Sequence, residues 1–242
     1  MSKLNVFVII DPQNDFIEGG SLAVHGGREK LDNIVEHLTK HSKDYDLILV
    51  SLDTHNPTNL GFPENWIGSE SKLVKPCTPF PVELISPEKL WPRCGYTGEK
   101  DVESIRKQPG FMCWPNHCVK GSNGWFIYEP LNKLLSSLGN KVVFLTKGEN
   151  DSRDNYSLFH YGDGELTEFG KNFKLWDLEN DDPVLHLSGL ALDYCVFETI
   201  KSFQKICKKG KYKIMTQMTA SIRDSETVHS LYSELEKKVE FI

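Results

Sequence analysis

Along the chain, segments with the hydrophobic pattern of a strand alternate with segments that have the hydrophobic pattern of a helix. Continuous apolar runs are typical of strands buried on both faces of a parallel sheet, whereas apolar positions three and four residues apart are typical of helices. The runs predict strands at residues 5–10, 47–52, 141–146, 183–188, 212–216 and 239–242. The helical spacing predicts helices at residues 28–41, 131–138, 166–178, 192–208 and 225–238.

Strands that alternate with helices indicate the fold class. Such units form right-handed crossovers and a parallel sheet that helices cover on both faces. Because no linker and no internal repeat is visible, we predict an α/β fold in one domain, residues 1–242. An insertion at about residues 63–112, rich in proline, glycine and charge, is too long for an ordinary connection. It is expected to be a lid, an ordered excursion or an interface element, or else a passive surface insertion.

Composition and charge narrow the function classes. The 242 residues are enough for one large domain, and 39% hydrophobic with 26% charged residues is ordinary for a globular protein. The net charge of −6 argues against a general nucleic-acid binder, whose footprint is basic. The first apolar run is short and ends at Asp11, so we expect neither a signal peptide nor a membrane span. A cytoplasmic location is the expectation, with a nuclear one as the alternative.

The cysteines lack the spacing of a disulfide framework or a zinc cluster. None of the six forms a CxxC pair, and a chain of this size without a signal peptide is expected to keep its thiols reduced. They are Cys77, Cys94, Cys113, Cys118, Cys195 and Cys207.

Cys195 follows an apolar run and begins a helical pattern. Unpaired N–H groups in the first turn of a helix can favour a thiolate and stabilise an oxyanion. Asp11 and Lys147 likewise end apolar runs, and the carboxyl ends of parallel strands line one crevice. The three side chains are therefore candidates for a base, a cation and a nucleophile. The alternative is a buried cysteine that packs as a small hydrophobe.

A second group of residues has the chemistry of a metal site. Asp53 and His55 follow the second predicted strand and project the same way from an extended chain. His117 lies in the run Trp114-Pro115-Asn116-His117-Cys118. Two histidines and one carboxylate, with positions left open, form a catalytic rather than a structural site. The alternative is chance, because short Asp-x-His runs are common and most histidines bind no metal.

Together, these motifs resemble the nicotinamidases, which belong to the isochorismatase-like cysteine hydrolase superfamily. The resemblance covers nearly the whole chain, in order, and the block around Trp114 is its most specific part. The motifs are Asp11-Pro12-Gln13-Asn14-Asp15-Phe16, Asp53-Thr54-His55, Trp114-Pro115-Asn116-His117-Cys118-Val119-Lys120-Gly121, Lys147-Gly148 and Gly189-Leu190-Ala191-Leu192-Asp193-Tyr194-Cys195-Val196.

The resemblance implies a Rossmann-like open parallel sheet of about five to six strands and hydrolysis of nicotinamide to nicotinate and ammonia, which serves NAD salvage. It makes Asp11, Lys147 and Cys195 the catalytic residues, with a Cys195 thioester intermediate. Lys147 is expected to favour the ionised forms of its two partners. The backbone N–H groups of Ala191 and Cys195 would hold the oxyanion, and the peptide bond between Leu190 and Ala191 would be cis.

The resemblance also implies a divalent metal, with zinc as the first expectation and iron or manganese as alternatives. Asp53, His55 and His117 match its ligands, and the metal would orient the pyridine ring through the ring nitrogen. Many family members have a third histidine where this chain has Asn59, whose amide is a poorer ligand for soft ions. Asn59 or water is the candidate for the remaining position.

Aromatic residues at matching positions would bind the flat ring by stacking. They are Phe16, Trp114, Tyr156 and Tyr194. Gln13 and Asp15 are expected to support the waters of the metal or the loop at the site.

Other functions compete with this interpretation. One is a cysteine amidase of the same superfamily that acts on a carbamoyl or ureido substrate, and another is a non-catalytic binding protein of this fold. A third is an isochorismatase, which does not rely on the cysteine. The expected partner is the small molecule nicotinamide, with neither nucleic acid nor membrane, and a homo-oligomer is an open alternative.

Overall fold

A computed structural model describes residues 4–93, 99–108, 110–153, 155–172, 183–207, 209–235 and 239–242. The strands are β1 (Asn5–Ile10), β2 (Leu47–Asp53), β3 (Trp66–Ile67), β4 (Thr78–Pro79), β5 (Trp91–Pro92), β6 (Met112–Cys113), β7 (Val142–Lys147), β8 (Val184–Leu190), β9 (Lys211–Ala220) and β10 (Val239–Phe241). The α-helices are α1 (Gly27–His41), α2 (Glu99–Arg106), α3 (Glu129–Ser137), α4 (Glu168–Asn172), α5 (Phe197–Ile206) and α6 (Ser225–Ser233).

Six strands form one parallel sheet in the order β10-β9-β8-β1-β2-β7. The predicted fold class, a single α/β domain with a parallel sheet, is therefore confirmed. The strand order reverses once, between β1 and β8 at the centre of the sheet, so the carboxyl ends of these strands open onto a crevice. No helix in the described part of the chain is long and apolar enough to cross a bilayer.

Successive residues of β1 face opposite sides of the sheet, because side chains alternate along a strand. Val6 and Val8 belong to the hydrophobic cluster that contains Phe203 of α5. Phe7 belongs to the cluster on the other face, which contains Ile34 of α1. Each face thus has its own core, which explains why the central strands read as continuous apolar runs.

The insertion forms a third hydrophobic cluster of its own. Its members include Trp66, Phe80, Ile105 and Phe111, and all four are buried. Short two-residue strands, 3-10 turns and α2 surround this cluster. The described parts of the segment 63–112 thus pack around a core of their own, and the role of the insertion as lid or interface stays a prediction.

Several predicted boundaries differ from the structure. The strand predicted at 212–216 is too short, because β9 continues to Ala220. The helix predicted at 192–208 begins as a π-helical turn, Leu192–Val196, and becomes α-helical only at Phe197. Of the helix predicted at 166–178, only α4 is described, and residues 173–180 lie outside the described part.

The helix predicted at 225–238 corresponds to α6, which ends earlier, at Ser233. Its first turn is capped, because Asp224 Oδ1 accepts the N–H of Thr227 at 2.9 Å. Residues 236–238 lie outside the described part.

Candidate active site

The carboxyl ends of four neighbouring strands bring the predicted catalytic residues together. Asp11 follows β1, Asp53 ends β2, Lys147 ends β7, and Cys195 lies in the π-helical turn after β8. Asp53 and Lys147 are direct partners in the parallel ladder. The predicted convergence of Asp11, Lys147 and Cys195 is therefore present in the structure.

Lys147 lies at the centre of this group. Its Nζ is 2.9 Å from Asp11 Oδ2, 2.9 Å from Asp53 Oδ1 and 3.5 Å from Cys195 Sγ. All four side chains are buried. A buried ammonium between two carboxylates is electrostatically paired, so it stays charged and holds the three partners in one arrangement.

Ser51 fixes the orientation of Asp11. The chain leaves β1 with Asp11 in the left-handed region, at φ 49°. The Ser51 hydroxyl donates to Asp11 Oδ1 at 2.7 Å, and the Asp11 N–H donates to Ser51 Oγ at 3.1 Å. Oδ1 is therefore occupied by the hydroxyl, while Oδ2 faces Lys147.

Burial decides the resting protonation state of the Cys195 thiol. Burial raises the pKa of the Cys195 thiol well above its ordinary value, and the nearby carboxylates add to this, although Lys147 lowers it. The expectation that Lys147 favours the thiolate is right in direction, but burial outweighs it. The pKa of Asp11 is also raised, because burial outweighs the charge of Lys147. The Cys195 thiol is therefore protonated at neutral pH.

The backbone before Cys195 has one of the two features that the resemblance implies. The peptide bond between Leu190 and Ala191 is cis, as predicted. The carbonyl of Ala191 accepts the N–H of Tyr194 at 3.2 Å and the N–H of Val196 at 3.1 Å, which holds the turn. The use of the Ala191 and Cys195 N–H groups as an oxyanion hole stays a prediction.

The three predicted metal ligands also lie close together in the structure. Asp53, His55 and His117 each present one ligand atom, and these atoms lie within 4.8 Å of one another. Asp53 Oδ2 is 3.0 Å from His55 Nε2 and 3.2 Å from His117 Nε2. The outer Nδ1 atoms lie 2.9 Å from the carbonyl of Gly148 and 2.8 Å from that of Pro115. These carbonyls favour the tautomer whose Nε2 can bind a metal.

The electrostatics of this group suit a divalent cation. Burial would raise the pKa of Asp53, but the charges of His55 and Lys147 outweigh burial and lower the pKa well below its ordinary value. Burial likewise would lower the pKa of His55, but the charge of Asp53 outweighs it and raises the pKa, so a metal that binds Nε2 would displace a proton. One ionised carboxylate and two imidazoles form an open set of ligands for a divalent metal.

Asn59 lies beside this group but faces its outer side. Its Oδ1 accepts the N–H of Gly61 at 2.7 Å, and its Nδ2 lies 3.2 Å from His55 Nδ1. The amide thus contacts the outer nitrogen of His55, whereas the ligand atom is Nε2. In this structure Asn59 supports a ligand, and its role as a further ligand stays a prediction.

Gln13 and Asp15 brace the segments that carry the metal ligands. Gln13 Oε1 accepts the N–H of Asp53 at 2.7 Å, and Gln13 Nε2 donates to the Asp53 carbonyl at 2.7 Å. Asp15 Oδ2 accepts the N–H of Cys118, the residue after His117, at 2.7 Å. Both residues thus support the site through its backbone, one of the two roles expected for them.

All four aromatic residues predicted to bind the ring line one pocket together with Cys195 and the metal group. The Trp114 indole donates to the Tyr156 hydroxyl at 2.9 Å. Trp114 also packs edge-to-face on Tyr194, with ring centroids 5.1 Å apart. Phe16 packs against His117 at 5.7 Å. The pocket therefore joins an aromatic wall to Cys195 and the candidate metal ligands.

Three further pocket residues were not predicted from the sequence, because none of them lies in a predicted strand or helix. Phe62 packs edge-to-face on His55 and His117, with ring centroids 5.5 and 5.8 Å away. Phe111 reaches the pocket from the insertion, and Ile222 reaches it from the loop after β9. A correct end for β9 would have pointed to Ile222, because loops at strand ends line the crevice.

None of the described cysteines is in a disulfide, as expected for reduced thiols; Cys94 lies outside the described residues. The free cysteines are Cys77, Cys113, Cys118, Cys195 and Cys207.

No protein-family model matches the chain. Among similar proteins, the nicotinamidase of Escherichia coli is 30% identical over 193 residues, which cover 80% of this chain and 73% of that protein. The nicotinamidase of Saccharomyces cerevisiae is 25% identical over 236 residues, which cover 96% of this chain and 95% of that protein.

Solved structures share the fold. The yeast nicotinamidase bound to the inhibitor nicotinaldehyde matches with a TM-score of 0.73 at 21% identity, over 99% of each chain. The pyrazinamidase of Pyrococcus horikoshii in complex with zinc matches with a TM-score of 0.60 at 18% identity, over 98% of each chain.

Proposed function

The chain belongs to the nicotinamidase family, and on that premise we propose how it hydrolyses nicotinamide to nicotinate and ammonia. It is an amidohydrolase whose reaction serves NAD salvage. The observation that carries the proposal is the position of Lys147, which touches Asp11, Asp53 and Cys195 at once. Lys147 thereby connects the base Asp11 to Cys195 and to the metal group, which line one pocket.

A divalent metal would be held by Asp53, His55 and His117. Bound there, it would act as a Lewis acid that takes the pyridine nitrogen of nicotinamide and orients the ring. We propose zinc, with iron or manganese as alternatives. Support comes from the two imidazole ligands and from the zinc complex of the Pyrococcus horikoshii pyrazinamidase.

The aromatic wall binds the ring in this proposal. Phe16, Trp114, Tyr156 and Tyr194 offer flat apolar surface, and the hydrogen bond from Trp114 to Tyr156 keeps two of the rings in place. A planar heteroaromatic amide fits such a wall better than a small carbamoyl or ureido compound does. The wall also excludes water from one side of the carboxamide.

The first half of the reaction forms a thioester. Asp11 accepts the proton of the Cys195 thiol, and Sγ attacks the carboxamide carbon. The negative charge that develops on the carboxamide oxygen would be stabilised by the N–H groups of Ala191 and Cys195. Asp11 then gives its proton to the leaving nitrogen, the C–N bond breaks, and ammonia departs.

The second half returns the enzyme to its resting state. Asp11 accepts a proton from water as the water oxygen attacks the thioester carbon. The C–S bond breaks, Cys195 Sγ takes the proton from Asp11, and nicotinic acid is released and ionises to nicotinate. Throughout, Lys147 keeps its charge, because the charges of Asp11 and Asp53 outweigh burial and hold its pKa well above the ordinary value.

A comparison of two amides tests the proposal. Nicotinamide and benzamide differ only in the ring nitrogen, so the metal-loaded protein should hydrolyse benzamide about a hundredfold more slowly. Equal rates would contradict the role of the metal in orienting the ring. Release of ammonia from neither amide, with faster turnover of a carbamoyl or ureido compound, would favour the alternative amidase.

The cytoplasmic location and a homo-oligomeric state stay predictions.

A further inference from the structure

Ile222 marks the mouth of the pocket. Among the described residues that line the pocket, it is the most exposed, with 47% of its surface accessible. Cys195 and His117, which also line the pocket, are only 7% and 5% exposed. An apolar side chain at the open end of an aromatic pocket offers surface that a bound ring can cover.

The position of Ile222 is fixed from the turn that carries the nucleophile. The Asp193 carboxylate accepts the N–H of Ile222 at 2.9 Å with one oxygen and the N–H of Arg223 at 2.9 Å with the other. The Asp193 side chain is completely buried and lies two residues before Cys195. Two charge-assisted hydrogen bonds therefore hold the backbone of Ile222 at a set distance from the reacting sulfur.

Arg223 strengthens the same connection. Its guanidinium lies 4.7 Å from the ring centroid of Tyr194 and donates to the Tyr194 hydroxyl at 2.8 Å. Tyr194 itself is part of the aromatic wall. The loop after β9 is thus attached to the wall as well as to the turn, so Ile222 is a fixed part of the pocket.

The proposed function, on which this inference rests, determines which atom of the bound ring faces Ile222. The ring nitrogen is anchored by the metal group and the carboxamide at position 3 by Cys195. Position 2 lies between these two anchors, at the buried end. Position 5 is directly across the ring from position 2, so it points away from both anchors and toward the mouth.

We propose that Ile222 is a specificity-determining residue that limits the size of a substituent at position 5 of the ring. Its branched side chain covers the open edge of nicotinamide and collides with a larger group there. One methyl group at a close-fitting apolar wall changes kcat/KM by about tenfold or more. Among 3-carboxamides of six-membered nitrogen heterocycles, those with no substituent at position 5 are therefore the preferred substrates.

The test compares kcat/KM for nicotinamide and 5-methylnicotinamide in the metal-loaded wild type, Ile222→Ala and Ile222→Phe. The ratio of the methylated to the plain substrate should rise about tenfold in Ile222→Ala and fall below the wild-type ratio in Ile222→Phe. Ile222→Ala should also raise KM for nicotinamide with little change in kcat, since it removes contact made equally in ground and transition states.

Ile67→Ala is the matched control. Ile67 is also an exposed isoleucine, 44% accessible, but it lies on β3 and outside the pocket lining. Its substitution should leave the ratio within twofold of wild type. An Ile222→Ala ratio that also stays within twofold would overturn the inference while leaving the function intact. A wild-type protein that does not hydrolyse nicotinamide would instead sink the proposed function.

Discussion

Lys147 and Asp53 form a 2.9 Å ion pair across adjacent strands, β7 and β2. The same carboxylate uses its other oxygen to meet His55 and His117. Asp53 is therefore shared between the catalytic group and the metal group. Because both groups share one buried carboxylate, the proposed function predicts that binding of the ring and activation of the thiol depend on each other.

Asp53→Asn should damage both groups. Loss of a charged ligand should weaken metal binding by about a hundredfold or more, measured by competition with a chelator. His117→Asn is the control, because it removes a ligand but leaves the Lys147 ion pair. At saturating metal, Asp53→Asn should retain less activity than His117→Asn. Equal residual activity would contradict the connection.

Gly148 leaves no room for a side chain beside the metal ligands. It has φ 82°, and an added Cβ would lie 2.8 Å from Asp53 Oδ1 and 2.8 Å from His55 Cε1. Gly148→Ala should therefore displace the ligands and lower metal affinity by about tenfold or more.

Gly121→Ala separates this effect from backbone strain. Gly121 has nearly the same φ, 81°, but an added Cβ would meet nothing within 4 Å. Both substitutions should lower the free energy of unfolding by about 1 kcal/mol through the left-handed backbone. Only Gly148→Ala should weaken metal binding, and equal affinities for zinc in the two variants would refute the steric argument.

The convergence of Asp11, Lys147 and Cys195 could be predicted from the strand ends, because that rule needs only the point where each apolar run stops. Asp11, Lys147 and Cys195 each follow such a point, and parallel strands bring these points together. The rule failed at Ile222, because the polar Thr216 and Gln217 interrupt the apolar pattern of β9. The pairing of β8 and β9 shifts register between Leu187 and Gly189, and this irregularity accommodates them within the strand.

Phe111 could not be predicted for a different reason. It lies in the insertion, where strands of two residues and short 3-10 turns leave no periodicity to detect. Its burial depends on a separate hydrophobic cluster that includes Leu60 and Trp66. Family resemblance supplied the aromatic positions Phe16, Trp114, Tyr156 and Tyr194, which periodicity alone would have assigned to the core.

The fall of kcat/KM at acid pH should report the protonation of Asp11. Its pKa is raised above the ordinary 3.8 by burial, which outweighs the charge of Lys147 and the hydrogen bond from Ser51, while the charge of Asp53 adds to the rise. Asp11 must be ionised to accept the thiol proton. At saturating metal, kcat/KM should therefore fall as the pH drops through a value above 3.8. A flat profile down to the ordinary aspartate range would contradict the assignment of the base.

Ser51→Ala should move this acid limb of the pH profile to higher pH. The Ser51 hydroxyl donates to Asp11 Oδ1 at 2.7 Å and favours the ionised carboxylate, so its loss raises the pKa of Asp11 further. Ser51→Thr keeps a hydroxyl and should restore the wild-type limb. A limb that moves to lower pH in Ser51→Ala, or that does not move, would show that this hydrogen bond does not set the protonation of Asp11.

The most direct test of the account is the rate of ammonia release from nicotinamide by Cys195→Ala at saturating metal, beside the wild type. Far-ultraviolet circular dichroism would verify that the variant is folded. If the Cys195 thiol is the nucleophile, the folded variant should lose activity by about ten-thousandfold or more. A folded, metal-loaded Cys195→Ala that hydrolyses nicotinamide at a rate close to the wild type would contradict the thioester mechanism.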